Sequence, residues 1–295
     1  MGRWQANGLM LLAAVIWGSA FIGQVKGMDG VGPLAFTGLR FLLGAVVVAP
    51  LAWLEWQRLR LQRQAPGRRD AGQVLLLGAL LTLGVVMQQI GLTGTSVTNA
   101  GFLTALYVPL VPLLAWLFNR ERPGWSVWPA AIGCLLGTWL LAGGNGLSLQ
   151  VGDAWVIGSA LPWALHVLWV GRVANRMGGA YVLACGQFLV CGVLASAAGL
   201  ATEPLSWSGI QVAGSAILYT GVLSVGVAYT LQVVGQRHAP PADAAILLSS
   251  ETLFAALFGA WLMGDRLDPA GLAGCAVILA SILLVQVQPF FAARR

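Results

Sequence analysis

The stretch from Ala242 to Gln288 has the sequence ADAAILLSSETLFAALFGAWLMGDRLDPAGLAGCAVILASILLVQVQ, which is two apolar runs on either side of a short charged turn. An earlier stretch, Val97–Leu141, has the same design. When the earlier stretch is shifted by 145 positions, these residues coincide: Thr104 with Ser249, Ala115 with Ala260, Trp116 with Trp261 and Leu117 with Leu262. Each first run is followed by a turn with charges and a proline, and each second run contains a Gly-Cys pair. These matches indicate a local repeat.

The composition predicts a membrane protein. Hydrophobic residues make up 58% of the chain and charged residues 9%, with a mean hydropathy of +0.80. Soluble domains carry roughly 25% charged residues, because water must solvate their surface. Most of this surface must therefore face lipid. A span needs about 20 apolar residues to cross roughly 30 Å of hydrocarbon, so ten spans would use about 200 residues and leave short loops.

Ten apolar runs are predicted to be helices, so the fold class is an all-α polytopic membrane protein. The approximate runs are 6–24, 33–54, 72–91, 97–118, 125–143, 153–171, 180–199, 209–231, 242–263 and 270–288. The first run also resembles a signal peptide, with Gly18-Ser19-Ala20 as a cleavage site. Its apolar character continues past that site, which favours a span.

The basic residues predict that both termini are cytoplasmic. With the N-terminus inside, the cytoplasmic segments hold Arg3, Arg58, Arg60, Arg63, Arg68, Arg69, Arg120, Arg122, Arg172, Arg176, Arg237, Arg294 and Arg295. The outer loops hold only Lys26 and Arg266. This is the positive-inside bias, and it accounts for the net charge of +6 without a nucleic-acid partner. The basic loop 57–69 is first a topology determinant and alternatively a site for lipid headgroups.

The repeat extends over the whole chain. The further matches, at shifts of 144 to 147, are Trp17 with Trp163, Arg40-Phe41 with Gln187-Phe188, Gln88 with Gln232 and Gly91 with Gly235. We therefore expect two units, 1–146 and 147–295, of five helices each. An odd number of spans per unit forces the second copy to insert inverted. In transporters built this way, the substrate site lies near the midplane between the halves, and rocking gives alternating access.

Several motifs resemble the EamA-type repeat of the drug/metabolite transporter superfamily. They are Ile16-Trp17-Gly18-Ser19-Ala20-Phe21, Leu39-Arg40-Phe41, Pro109, Leu117-Phe118-Asn119-Arg120-Glu121, Gly152-Asp153, Pro162-Trp163-Ala164 and Leu262-Met263-Gly264-Asp265-Arg266. Within this superfamily the chain is most similar to the bacterial YddG-type exporters of aromatic amino acids. The resemblance implies a central cavity surrounded by the first four helices of each half, with the fifth and tenth helices at the periphery. This chain has Asp265 where the family often has a glutamate.

Glu251 is the acidic residue placed well inside a predicted span. A charge at mid-bilayer costs about 2.5–3.5 kcal/mol on insertion scales, so it normally faces a cavity or a partner. It is a candidate for binding a substrate ammonium or carrying a proton. The alternative is a structural hydrogen-bond cluster with Ser249 and Ser250.

Two tryptophans and one histidine are further candidates. Trp17 and Trp163 are matched positions of the two halves and could stack on a flat substrate or a cation. His166 shares a helix face with Trp163 and could couple transport to protons. A packed, hydrogen-bonded histidine is the alternative.

Uncharged polar groups inside spans suit a zwitterionic substrate, and interhelical hydrogen bonding is their alternative role. The candidates for substrate binding are Gln88, Thr104, Tyr107, Tyr229, Gln232 and Ser249. Arg40, near the outer end of its span, is expected to snorkel towards the interface.

The sequence predicts neither an enzyme nor a cofactor or metal site. It contains no GxxxxGK[ST] loop and no HExxH motif, and its one lysine is Lys26. The cysteines Cys134, Cys185, Cys191 and Cys275 lie in predicted spans as packing residues. We therefore expect a secondary transporter of the bacterial inner membrane that exports small metabolites, chiefly amino acids including aromatic ones. An exporter of drugs or cationic compounds is the alternative, and a membrane-embedded enzyme or receptor is a weaker one.

Overall fold

The structure is a computed structural model that describes residues 1–95, 97–142, 150–258, 260–261 and 268–292. Throughout these ranges the regular structure is helical. The helices are α1 (Arg3–Gly27), α2 (Pro33–Leu61), α3 (Arg68–Gly91), α4 (Val97–Thr104), α5 (Tyr107–Asn119), α6 (Val127–Leu141), α7 (Val151–Met177), α8 (Ala180–Thr202), α9 (Trp207–Tyr219), α10 (Thr230–Gln236), α11 (Pro241–Leu248), α12 (Glu251–Phe258) and α13 (Pro269–Ala292). A π-helical segment, Thr220–Tyr229, joins α9 to α10.

Within the described residues, nine segments are long and apolar enough to cross a membrane. The multi-pass architecture predicted from hydropathy is therefore confirmed. The remaining predicted run is helical over Val127–Leu141, which is 15 residues. At 1.5 Å per residue it is about 22 Å long, shorter than a bilayer core of about 30 Å. The predicted turn at Asp265-Arg266 and the terminal Arg294-Arg295 lie outside the described residues.

Two predicted runs are each broken into two helices, at matched positions of the repeat. The break between α4 and α5 falls at Ala105-Leu106, and the break between α11 and α12 falls at Ser249-Ser250. In the second break, the hydroxyl groups of Ser249 and Ser250 donate to the carbonyls of Ile246 and Leu247 at 2.8 and 2.6 Å. Such local side-chain bonds compete with the helical ladder and bend it. The break makes Glu251 the first residue of α12, where the helix dipole favours a negative charge.

Helices of the first half pack on helices of the second half throughout the bundle. The pairs are α2 with α8, α3 with α7, α6 with α13, and α1 with the segments from α9 to α12. Glycines permit the closest approaches. A Cβ on Gly38 of α2 would lie 2.6 Å from the backbone nitrogen of Ser196, and one on Gly199 of α8 would lie 2.8 Å from that of Ala35. Small residues of this kind let membrane helices approach closely enough for van der Waals packing.

Within the described part of the chain, three ion pairs join the two halves at one end of the bundle. This end carries Arg3, Arg172, Arg176 and Arg237, and we call it the basic end. They are Arg3–Asp243 at 2.7 Å, Arg176–Asp70 at 2.7 Å and Arg172–Glu121. At the opposite end, the hydroxyl of Thr95 donates to the carboxylate of Asp153 at 2.5 Å. Both ends are therefore tied across the halves in this conformation.

Candidate functional site

A narrow polar cavity, which we call the central cavity, lies in the middle of the bundle between helices of the two halves. Its walls are formed by Trp17, Phe21, Gln24, Arg40, Gln88, Thr104, Tyr107, Trp163, Val167, Ser224, Tyr229, Gln232, Leu248 and Glu251. Its volume is about 40 Å³. That is room for only a few water molecules, whereas clefts that bury drug-sized ligands measure roughly 300–1,000 Å³. The halves are therefore closed around the site.

Three aromatic rings form one wall of the central cavity. The ring of Tyr229 is 4.6 Å from that of Trp17, tilted by 57°, and 6.1 Å from that of Trp163, nearly parallel at 7°. The tryptophans that match in the repeat thus contact the same tyrosine. The indole nitrogen of Trp17 donates to the carbonyl of Ser224 at 3.2 Å, inside the π-helical segment. The wall presents aromatic faces on which an apolar or aromatic group can stack.

Amide and hydroxyl groups form a second wall. The amide of Gln88 donates to the hydroxyl of Thr104 at 2.9 Å, and Thr104 donates to the carbonyl of Ala100 at 2.8 Å. The hydroxyl of Tyr107 donates to the carbonyl of Ala245 at 3.4 Å. The Tyr107 bond ties α5 to α11, the Gln88 bond ties α3 to α4, and together these bonds orient the polar side chains.

Glu251 contributes a carboxylate to the central cavity from the first turn of α12. Among the described residues, no hydrogen bond or ion pair engages this half-buried carboxylate. A carboxylate taken out of water without a partner is costly, so the group is available for a cation or a proton.

Arg40 corrects the sequence-based expectation, because it does not snorkel. Its side chain is 2% exposed and lines the central cavity. The guanidinium lies over the rings of Phe36 and Phe41, at 5.4 and 5.3 Å, and donates to Gln89 at 3.3 Å. No described carboxylate lies within ion-pair distance of it. Arg40 lies near a helix end, where an exposed side chain was expected, but neighbouring side chains enclose it.

Three cavity-lining side chains have a buried polar atom for which the described residues provide no partner. These atoms are the indole nitrogen of Trp163, Nε of Arg40 and Oε1 of Gln232. A buried unpaired group costs about 1–3 kcal/mol and calls for an explanation such as a bound molecule. Two donors and one acceptor on cavity-lining residues are therefore without a described partner in this narrow conformation.

The structure brings most of the predicted site residues together but leaves two aside. Trp17, Gln88, Thr104, Tyr107, Trp163, Tyr229, Gln232 and Glu251 line the central cavity. His166 is fully buried behind the aromatic wall, where its Nε2 pairs with Oε1 of Gln187 at 2.9 Å and its ring meets Trp163 edge-on. Ser249 is buried too, in the break before α12.

Arg40 is the main residue that sequence reasoning did not include in the site. A signal was present, because Arg40 is the one basic residue that fits neither the cytoplasmic set nor the outer loops. The other additions are Phe21, Gln24, Val167, Ser224 and Leu248. These residues resemble the rest of the spans, so nothing in their type distinguishes them.

The apolar helices define a multi-pass membrane protein, and its central polar cavity is the candidate small-molecule site. The model of the EamA-like transporter family matches this chain twice, over residues 4–143 and 150–287. The chain belongs to this family of transporters.

Several transporters are similar in sequence to this chain over most of their length. An uncharacterized transporter of Archaeoglobus fulgidus is 26% identical over 281 residues, covering 95% of this chain and 85% of its own. The threonine/homoserine exporter RhtA of Escherichia coli (strain K12) is 27% identical over 278 residues, which cover 92% of this chain and 88% of RhtA. A crystal structure of another protein has the same fold, with a TM-score of 0.80 and 19% identity, covering 97% of this chain and 98% of the other.

Proposed function

We propose that this transporter exports amino acids, including aromatic ones, across the bacterial inner membrane by alternating access. The observation that carries the proposal is the joint presence of Arg40, Glu251 and an aromatic wall in one cavity. A zwitterionic amino acid has a carboxylate for the guanidinium, an ammonium for Glu251, and a side chain for the rings. The RhtA relative, an exporter of threonine and homoserine, supports amino acids as the substrate class.

The arrangement of charges supports one substrate orientation. Tyr229 is close enough to interact electrostatically with both Arg40 and Glu251. Both charged groups line the cavity that contains the aromatic wall. A substrate that spans them places its side chain against Trp17, Tyr229 and Trp163. The free donors of Arg40 and Trp163 suit the carboxylate, because ionic hydrogen bonds contribute about 1.5–3 kcal/mol.

The rival function, export of cationic drugs, fits the cavity less well. A cation would gain from Glu251 and from the tryptophan faces. It would also be placed near Arg40, whose charge no described carboxylate neutralises. In a low-dielectric cavity this repulsion is large. Arg40 therefore favours a zwitterion over a simple cation.

We further propose that residues 1–146 and 147–295 are inverted repeats that rock around the central cavity. Reciprocal packing supports this. In the first half, α3 packs on α7, and its match in the second half, the segment of α9 and α10, packs on α1. In the same way, α5 packs on α7, and its match α12 packs on α1. The basic end would face the cytoplasm under the positive-inside rule. Opening towards the cytoplasm would then require the three ion pairs of the basic end to separate.

Membrane lipid and protons are the further proposed partners. Near the end of α2, Trp53 and Trp56 stack at 5.4 Å, and Arg60 lies 5.4 Å from the Trp56 ring. Aromatic and basic residues of this kind suit the lipid headgroup level. Glu251 and the more distant His166 are the proposed proton carriers.

Uptake into proteoliposomes tests the proposal with labelled threonine, phenylalanine and a cationic dye, with and without a pH gradient. We expect flux of at least one amino acid and none of the dye. The absence of any amino-acid flux would reject the function. A gradient that leaves the rate unchanged would reject proton coupling.

Two variants test the orientation in the cavity. Arg40→Gln should reduce phenylalanine transport about 10- to 100-fold. It should not reduce transport of phenethylamine, a cation that lacks the carboxylate, and should raise any flux of it because the repulsion from Arg40 is removed. Glu251→Gln should reduce phenylalanine transport and spare 3-phenylpropionate, which lacks the ammonium. Arg69→Gln, which removes an exposed arginine far from the central cavity, is the matched control. Equal losses for all three compounds would contradict the assigned contacts.

A further inference from the structure

A second cavity opens at the basic end of the bundle, and we call it the basic vestibule. It lies between the last turns of α7 and the linker from α10 to α11, and its volume is about 300 Å³. Its walls are Gly171, Arg172, Asn175, Gln236, Arg237, His238, Ala239, Pro240 and Pro241. This volume reaches the size of small-molecule sites.

The described lining of the basic vestibule includes the cationic side chains of Arg172 and Arg237 and contains no carboxylate. Arg172 already pairs with Glu121. Arg237 is held differently. Its Nε donates to the amide oxygen of Asn175 at 3.3 Å, while the amide nitrogen of Asn175 donates to the Arg237 carbonyl at 2.6 Å. No described carboxylate pairs with the Arg237 guanidinium, whose terminal nitrogens remain available for an anion.

One layer of hydrogen-bonded side chains separates the basic vestibule from the central cavity. Gln236 lines the vestibule, and Gln232 lines the central cavity. The amide nitrogen of Gln232 donates to Oε1 of Gln236 at 2.9 Å, and Nε2 of Gln236 donates to the carbonyl of Val167 at 2.9 Å. Val167 also lines the central cavity. The two cavities are therefore neighbours, separated by Gln232, Gln236 and Val167.

We infer that the basic vestibule is an entry site, in which Arg237 binds the carboxylate of an amino acid before the Gln236–Val167 contact between α10 and α7 opens to admit it. This inference rests on the proposed function, because it uses the same substrate class and path. The anchored Arg237 presents a fork of donors that fits a carboxylate. An arginine at the entrance also raises the local concentration of anionic groups.

Transport kinetics give the first test. Arg237→Gln should lower Vmax/KM for the amino acid that the wild type transports by about two- to fivefold, the range of a partly exposed ion pair. Arg237→Lys, which keeps the charge, should recover most of this loss, and Arg69→Gln should behave as the wild type. An unchanged Vmax/KM in Arg237→Gln would overturn the inference.

A thiol probe measures binding without transport. Ala239→Cys, in a background without the native cysteines, places a reactive group in the basic vestibule. We expect millimolar threonine or phenylalanine to slow its reaction with an anionic thiol reagent, and the corresponding amino-acid amides to have no effect. Arg237→Gln should abolish this protection. Equal protection by acid and amide would overturn the inference.

The two tests separate the vestibule from the central site. Protection of the thiol without amino-acid flux would reject the proposed function and keep the carboxylate site. Flux without protection would reject the vestibule alone. The probe is measured in vesicles of phosphatidylcholine with and without phosphatidylglycerol. Protection that depends on phosphatidylglycerol rather than on added amino acid would assign the site to lipid phosphate and overturn the inference.

Discussion

Glu55 in α2 caps the N-terminus of α8, and Glu203, which directly follows α8, caps the N-terminus of α2. The two caps lie at opposite ends of the α2–α8 pair. The Glu55 carboxylate accepts hydrogen bonds from the backbone of Ala180 and Val182, at 3.1 and 2.9 Å. The Glu203 carboxylate accepts from Leu34 and Ala35, at 2.9 and 2.8 Å. The residue that precedes each capped helix is a glycine, Gly32 or Gly179, which leaves space for the carboxylate. The two caps thus follow the internal repeat.

Removing either cap should destabilise the protein. Glu55→Ala and Glu203→Ala should each lower the free energy of unfolding by about 0.5–2 kcal/mol, because backbone donors lose their acceptor and the helix dipole its counter-charge. The effects should add in the double variant, since α2 is about 43 Å long and the sites share no partner. Thermal unfolding in detergent measures this. Unaltered midpoints in both single variants would show that water replaces the caps at no cost.

A close helix contact predicts a different kind of instability. A Cβ on Gly18 would lie 2.6 Å from Cβ of Phe254 and 2.7 Å from the nitrogen of Ala255. Gly18→Ala should therefore force α1 away from α12 and cost about 1–3 kcal/mol. Gly8→Ala lies in the same helix with nothing within 4 Å of the new atom and is the matched control. Yield and thermal midpoint should fall for the first variant alone. A fall in both would indicate that helix flexibility, rather than space, is the cause.

The spans of this fold were predictable from sequence because the bilayer imposes a simple requirement on them. Long apolar runs predicted the helices, and matched residues such as Trp17 and Trp163 predicted that the halves meet at one site. The breaks at Ala105 and Ser249 were not predicted, because hydropathy shows a long and mainly apolar run but not where local bonds, such as those of Ser249 and Ser250, interrupt the helix. Arg40 was missed because position along a span does not reveal which side chains the neighbouring helices enclose.

Selectivity for aromatic substrates should depend on the stacked wall. Trp163→Leu removes a ring that lies parallel to Tyr229, and aromatic pairs contribute about 0.5–1.5 kcal/mol beyond area burial. We expect phenylalanine transport to fall about two- to twelvefold and threonine transport to change less. Tyr229→Phe keeps the ring and serves as the control. Competition between the two labelled amino acids gives the ratio directly. Equal losses for both amino acids would contradict a stacking role.

The basic vestibule should respond to acid through His238. The pKa of His238 lies below its ordinary value of 6.5, because some burial disfavours the charged ring and because the amino terminus and Arg237 are positive neighbours. His238 is therefore neutral at pH 7 and gains its proton only below about pH 6.5. Around it, Arg172 is paired with Glu121, and Asp243 is paired with Arg3.

The added positive charge should increase anion capture as the pH falls. We expect the anionic reagent to modify the Ala239→Cys probe at a constant rate between pH 6.5 and 8, after correction for the thiolate fraction. Below that range, the corrected rate should rise. His238→Ala should remove the rise. A rise that persists in His238→Ala would assign it to another group, and a flat profile in both would show that the ring does not act on the vestibule.

The narrowness of the central cavity also bears on when export begins. A cavity of about 40 Å³ must widen before an amino acid fits, so only molecules whose helices have separated can bind. The apparent dissociation constant is then the intrinsic one divided by the fraction of open molecules, and a fraction of about 1% weakens binding about 100-fold. Under the proposed function, filling the site would then need a higher amino-acid concentration than the contacts of the open cavity alone would require. The packing of Trp17, Tyr229 and Trp163 would thus set the amino-acid concentration at which the proposed export begins.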